Sequence, residues 1–97
     1  MILYQDKYPH SSRVIWVEYN GENNTIRIDL QDLGEDFEYE RSMSDISLDE
    51  ILKALGLEDI EALYAFLLGN YSSKDAIDRI CDEVLTKYNI TFAYYAG

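Results

Sequence analysis

Arg13-Val-Ile-Trp-Val-Glu-Tyr-Asn-Gly-Glu-Asn-Asn-Thr-Ile-Arg-Ile-Asp-Leu-Gln31 is the stretch that decides the fold. Its first seven residues are rich in β-branched and aromatic side chains, with Val14 and Trp16 on one face of an extended chain and Ile15, Val17 and Tyr19 on the other. Apolar groups on both faces suit a strand inside a sheet. Asn20 to Asn24 tolerate positive φ, and from Thr25 the chain alternates, with Ile26, Ile28 and Leu30 inward and Thr25, Arg27, Asp29 and Gln31 outward. The stretch reads as a β-hairpin.

After the hairpin, a turn near Leu33-Gly34-Glu35 leads into residues 36–41, Asp-Phe-Glu-Tyr-Glu-Arg, which alternate again: Phe37 and Tyr39 on one side, Asp36, Glu38 and Glu40 on the other. A third strand is expected there. Ser47-Leu-Asp-Glu50 forms a capping box that opens a helix over 48–55, stopped by Gly56. Ile60, Leu63, Tyr64, Leu67 and Leu68 mark a second helix over 58–68, with acids in its first turn and Gly69 at its end. The third helix, 73–88, has the cleanest stripe, formed by Ala76, Ile77, Ile80, Cys81, Val84, Leu85 and Tyr88 opposite a charged face. Residues 90–95, uncharged and aromatic, read as a closing strand that must be paired to avoid being an aggregation edge.

The expected architecture is α+β over residues 1–97: a mainly antiparallel sheet, built as a β-meander plus a C-terminal strand, with about three helices packed on one face. If the closing strand pairs beside residues 13–19, that strand becomes central. The acidic third strand then lies at or near the opposite edge.

Composition narrows the function classes. Ninety-seven residues suffice for one domain, and 47% hydrophobic residues supply a core despite a net charge of −11. The longest stretch without charge, Ala62 to Ser73, is shorter than the roughly 18 residues of a membrane helix, and Met1 to Asp6 lacks a signal-type apolar region. A soluble, cytoplasmic protein is therefore expected. A single cysteine and a single histidine exclude an internal disulfide, a multi-cysteine metal knuckle and any site needing two imidazoles.

Nearly all the charge lies in one third of the chain. Residues 29 to 61 hold twelve acids against only Arg41 and Lys53, whereas the remainder is almost balanced. Solubility alone is met by a net charge of magnitude about 2 to 8, so a surface this concentrated invites a binding role. Asp29, Asp32, Glu35, Asp36, Glu38, Glu40 and Asp45 are the candidate partner-binding acids. Asp36, Glu38 and Glu40 on one strand face would stand ~6.8 Å apart, too sparse to copy duplex DNA at one charge per ~1.7 Å of axis. Mimicry of a duplex would need the strand, the turn and the first two helix starts to pool their acids.

Other chemistries fit less well. Asp29 to Glu40 has Asp first, Gly34 sixth and Glu40 twelfth, as in a calcium loop, but Leu33 occupies a liganding position and strands flank the segment. Cys81 belongs to an apolar helix stripe, and His10 sits in a loop-like stretch without a nucleophile elbow or orienting carboxylate. Isolated glycines cradle no phosphate. The two later helices expose too many acids for a DNA-reading pair, and the three Asn-X-Thr/Ser triplets have no meaning without secretion. No catalytic residue, metal or cofactor is expected.

In size, charge and lack of catalytic residues the chain resembles two groups: phage-encoded inhibitors of bacterial nucleases, including anti-restriction and anti-CRISPR proteins, and immunity proteins that neutralise nuclease toxins. The resemblance rests on those general properties and on no shared motif. It implies a non-catalytic inhibitor whose acids seat in the basic nucleic-acid-binding cleft of an enzyme, without direct nucleic-acid or membrane binding. A structural or adaptor domain is the alternative, with its nine tyrosines, several near the termini, forming a homodimer contact.

Overall fold

The 13–31 hairpin is the centre of the molecule. In the computed structural model, which describes residues 1–97, strands β1 (Ile2–Lys7), β2 (Ser11–Asn20), β3 (Thr25–Gly34) and β4 (Glu38–Ser47) precede helices α1 (Leu48–Leu55), α2 (Ile60–Asn70) and α3 (Ala76–Ile80), and β5 (Ala93–Ala96) closes the chain. All neighbours are antiparallel and the sheet order is β1-β2-β3-β4-β5. The α+β architecture is the one expected from the periodicities.

Ile15, Val17, Ile26, Ile28, Leu30, Met43 and Ile46 all lie under 2% exposed on one sheet face, in one core with Ile51, Leu63, Leu67, Ile77, Ile80 and Leu85 of the helical part. Each such side chain is worth about 1.5–3 kcal/mol of transfer free energy. The other face carries Val14, Trp16, Gln31, Glu38 and Glu40 and is left open by the helices, as the register dictates: Val14 opposes Gln31 and Gln31 opposes Glu40.

One expectation about strand order is corrected. The closing strand pairs with β4, not beside β2. β2 is interior because β1 takes its free edge. β1 is masked in the sequence by a bulge between Ile2 and Tyr4, which breaks the alternation and places Leu3 in the core. The acidic third strand lies near the opposite edge, as expected, one place in from it between β3 and β5. It also runs further than residues 36–41. Asp36 and Phe37 belong to the turn, and the strand continues to Ser47, burying Met43 before and Ile46 after a bulge in which Ser44 and Asp45 together face Arg27. Asp45 takes φ 56° there, a conformation Asp tolerates better than most residues.

The helix signals hold, with changes at their ends. Ser47 accepts the N–H of Glu50 at 3.2 Å, and Gly56 at φ 68° closes α1 while Leu57 N–H reaches Leu52 O at 2.9 Å. Asp59 caps α2 by accepting from Ala62 N–H at 2.8 Å. Gly69 does not stop α2, which runs on to Asn70, and Leu68 is exposed rather than core-facing. The third helix begins at Ala76, not residue 73, and passes without a break into a π-helical turn, Cys81–Thr86. Its stripe explains the change of pitch. Ala76, Ile80 and Val84 recur every four residues, as do Ile77, Cys81 and Leu85, whereas four α-helical residues overshoot a turn by about 40°. A turn closed i→i+5 rotates less per residue and returns Val84 and Leu85 to the core.

Candidate acidic docking surface

The β3–β4 hairpin sets out the acids of the central segment. Alternation places Asp29, Glu38 and Glu40 on the open sheet face, where the Gln31 amide lies 3.4 Å from one oxygen of Glu38 and 3.4 Å from one of Glu40. Asp36 follows in the exposed turn at the end of this face. The turn is held by Gly34 N–H donating to Phe37 O at 2.9 Å, and the exposed Phe37 ring packs where a Cβ on Gly34 would stand.

The other four acids are separated from this group or compensated. Asp32 points to the helix-covered face, where Arg13 grips both its oxygens at 2.7 Å. Glu35 accepts from or pairs with His10 Nδ1 at 2.7 Å across the neighbouring turn. Asp29, only 6% exposed, is held by Arg27 through contacts of 2.8 to 3.1 Å. Asp45 stands beyond the bulge, roughly 16 Å along β4 from Glu40 at ~3.3 Å per residue. The structure thus brings Asp36, Glu38 and Glu40 together without a cationic partner, and disperses the rest.

The acids at the start of α1 lie at the opposite end of the sheet. Asp49 accepts from the Asn24 amide of the β2–β3 turn at 3.1 Å, and β3 separates that turn from Gly34 by roughly 30 Å. The negative charge therefore has two poles and not one continuous row.

Sequence reasoning passed over the residues that complete the open face. Trp16 opposes Asp29 and donates its indole N–H to Glu18 at 3.0 Å, Glu18 opposes Arg27, and Tyr95 opposes Ser42. Glu18 and Trp16 lie outside the acid-rich third of the chain, so charge counting could not find them; the alternation across the hairpin could. Arg27 forms a basic centre on this face. The hydrogen bond to Asp29 holds its guanidinium proton more tightly than usual, and the bond to Asp32 does the same for Arg13. Arg41, bound by Asp78 at 2.6 Å, is likewise raised. Arg79 pairs with Glu83 at 3.0 Å, so all four arginines are committed within the chain.

Cys81 packs half-buried against the core, His10 is exposed, and Tyr71 is buried while Tyr8, Tyr94 and Tyr95 are exposed. No group of three or more His, Cys, Asp or Glu side chains is arranged to hold a metal ion, and no helix is long and apolar enough to cross a membrane. Comparison with known proteins finds no match: no family model, no curated protein and no solved structure corresponds to this chain.

Proposed function

We propose that the protein is a non-catalytic acidic inhibitor that docks on the basic nucleic-acid-binding surface of a nuclease or another nucleic-acid-processing enzyme. One observation carries this reading: every arginine is spent on an internal ion pair, while Asp36, Glu38 and Glu40 stand exposed at one end of the sheet and take part in no ion pair. A lysine- and arginine-lined cleft supplies the missing partners, and carboxylates seated there exclude phosphates. The docking end is compact, centred on the Asp36–Glu40 segment, with Glu35 at its margin. It blocks by occupying a groove and does not need the phosphate spacing of a duplex.

The test is capture of partners from a bacterial lysate on the immobilised protein, elution with rising salt and identification by mass spectrometry. A nucleic-acid-binding protein eluting with salt is expected; its absence would overturn the reading. With that partner in hand, a variant carrying Glu35→Gln, Asp36→Asn, Glu38→Gln and Glu40→Gln should associate more slowly, by about 10-fold or more at low salt, with a smaller change in dissociation rate. An unchanged association rate would assign the contact to another surface.

A further inference from the structure

The sheet has two free edges, and only one is protected. β1 carries Asp6 and Lys7 and a bulge between Ile2 and Tyr4, features that make an edge hard to extend. β5 has none of them. It is four exposed residues, Ala93-Tyr-Tyr-Ala96, regularly paired to β4, and no charged side chain occurs from Tyr88 to Gly97.

The backbone of β5 is set up for a further strand. Glu40 and Gly97 exchange both their hydrogen bonds, at 2.8 and 2.9 Å. Pairs two residues on, Ser42–Tyr95 and Ser44–Ala93, are then also of the bonded type. The N–H and C=O groups of Tyr94 and Ala96 consequently point away from β4, toward solvent. Tyr95, 57% exposed, lies between them with its side chain on the open sheet face.

We propose that this edge pairs with the same edge of a second copy of the chain, antiparallel, about a two-fold axis through Tyr95. Tyr94 then exchanges both bonds with Ala96 of the second copy, and the reverse, while the two Tyr95 residues meet as a non-bonded pair with Cα atoms ~4.5 Å apart. Two sheets become one. The occupant follows from charge. An isologous contact presents the same patch from both copies, so in a chain of net charge −11 a two-fold contact elsewhere on the acidic surface opposes negative charge to negative charge. β5 is the edge strand free of charge. A contact of four residues a side falls among small, weak interfaces, so association is concentration-dependent.

The salt response separates this contact from groove docking. Docking to a basic partner weakens with added salt. Pairing of two acidic copies strengthens, because screening removes their mutual repulsion. Sedimentation equilibrium of the whole chain should show more dimer in about 1 M NaCl, where the Debye length is ~3 Å, than in about 0.05 M. Ala96→Pro removes an N–H that faces away from β4 and should give a monomer that keeps its melting temperature. Tyr95→Cys with Cys81→Ser should form an intermolecular disulfide on mild oxidation, since facing Cα atoms fall within the 4.4–6.8 Å range such a bond requires. That result decides the matter if Ala96→Pro does not fold. A parent chain that stays monomeric at high salt, with no cross-link through residue 95, would overturn the proposal. So would a dimer that survives Ala96→Pro in the folded state, which would place the contact elsewhere, or a monomer that loses a captured protein on Ala96→Pro, which would give the edge to that protein's strand.

Discussion

Tyr4 carries the clearest single-residue signature of the fold. The bulge in β1 directs its hydroxyl to Asp6, which accepts at 2.6 Å while its other oxygen accepts the Arg13 N–H at 3.0 Å. That hydrogen bond, helped by burial and by the charge of Asp6, pushes the phenol up from 10.0 to about 12. The folded chain therefore holds this proton where the unfolded chain has released it, and the contribution to stability is full below pH 10 and disappears as pH rises through about 12. Burial raises Tyr64 and Tyr71 in the same direction. A spectrophotometric titration should show a late group of tyrosines, and Tyr4→Phe should remove one late step. The variant's melting temperature should also fall less steeply than the parent's between about pH 10 and 12.

Helix ends are decided by backbone conformation rather than by residue type. Gly56 and Gly69 look alike in the sequence, each following an apolar run, yet Gly56 sits at φ 68° as the cap of α1 while Gly69 lies inside α2 with open space where a Cβ would be. Alanine should have opposite effects at the two positions. Gly69→Ala should stabilise by about 0.5–1 kcal/mol by lowering the entropy of the unfolded chain. Gly56→Ala should destabilise by roughly 1–2 kcal/mol through left-handed strain. Urea titrations at constant m-value measure both. Equal signs would mean that α2 ends earlier than residue 70.

At the scale of the molecule the net charge opposes compaction. Five acids have a basic partner, Asp29, Asp32, Asp78, Glu83 and Glu35, the last with His10, out of nineteen. The remaining acids repel one another, most strongly where they stand closest, as Glu38 and Glu40 do at the ~6.8 Å spacing of a strand face, inside the ~8 Å Debye length of physiological salt. Added sodium chloride should raise the melting temperature between about 0.02 and 0.5 M. A gain of ~1 kcal/mol corresponds to about 4–8 °C for a domain of this size. Differential scanning calorimetry at a protein concentration below the onset of self-association makes the measurement. A flat response would mean that the carboxylates are compensated within the fold, and would weaken the case for a docking surface.

Periodicity and chemistry along short stretches were enough for the hairpin, the Ser47 cap and the apolar stripe of 76–85, because each depends on neighbours within about four residues. The acidity of residues 29–61 was equally plain, and so was its concentration in one third of the chain. What could not be read locally was which strand edges meet. β5 takes the edge of β4 because β1, disguised by its bulge, already covers β2, and that choice leaves the acidic strand one place in from the edge. The partition of the acids was hidden for the same reason. Asp29 and Asp32 differ by three positions and so face opposite sides of the sheet, and each finds an arginine, Arg27 or Arg13, only through the alternation of β3 and its pairing with β2. Charge adds along a chain, but pairing and repulsion act through space.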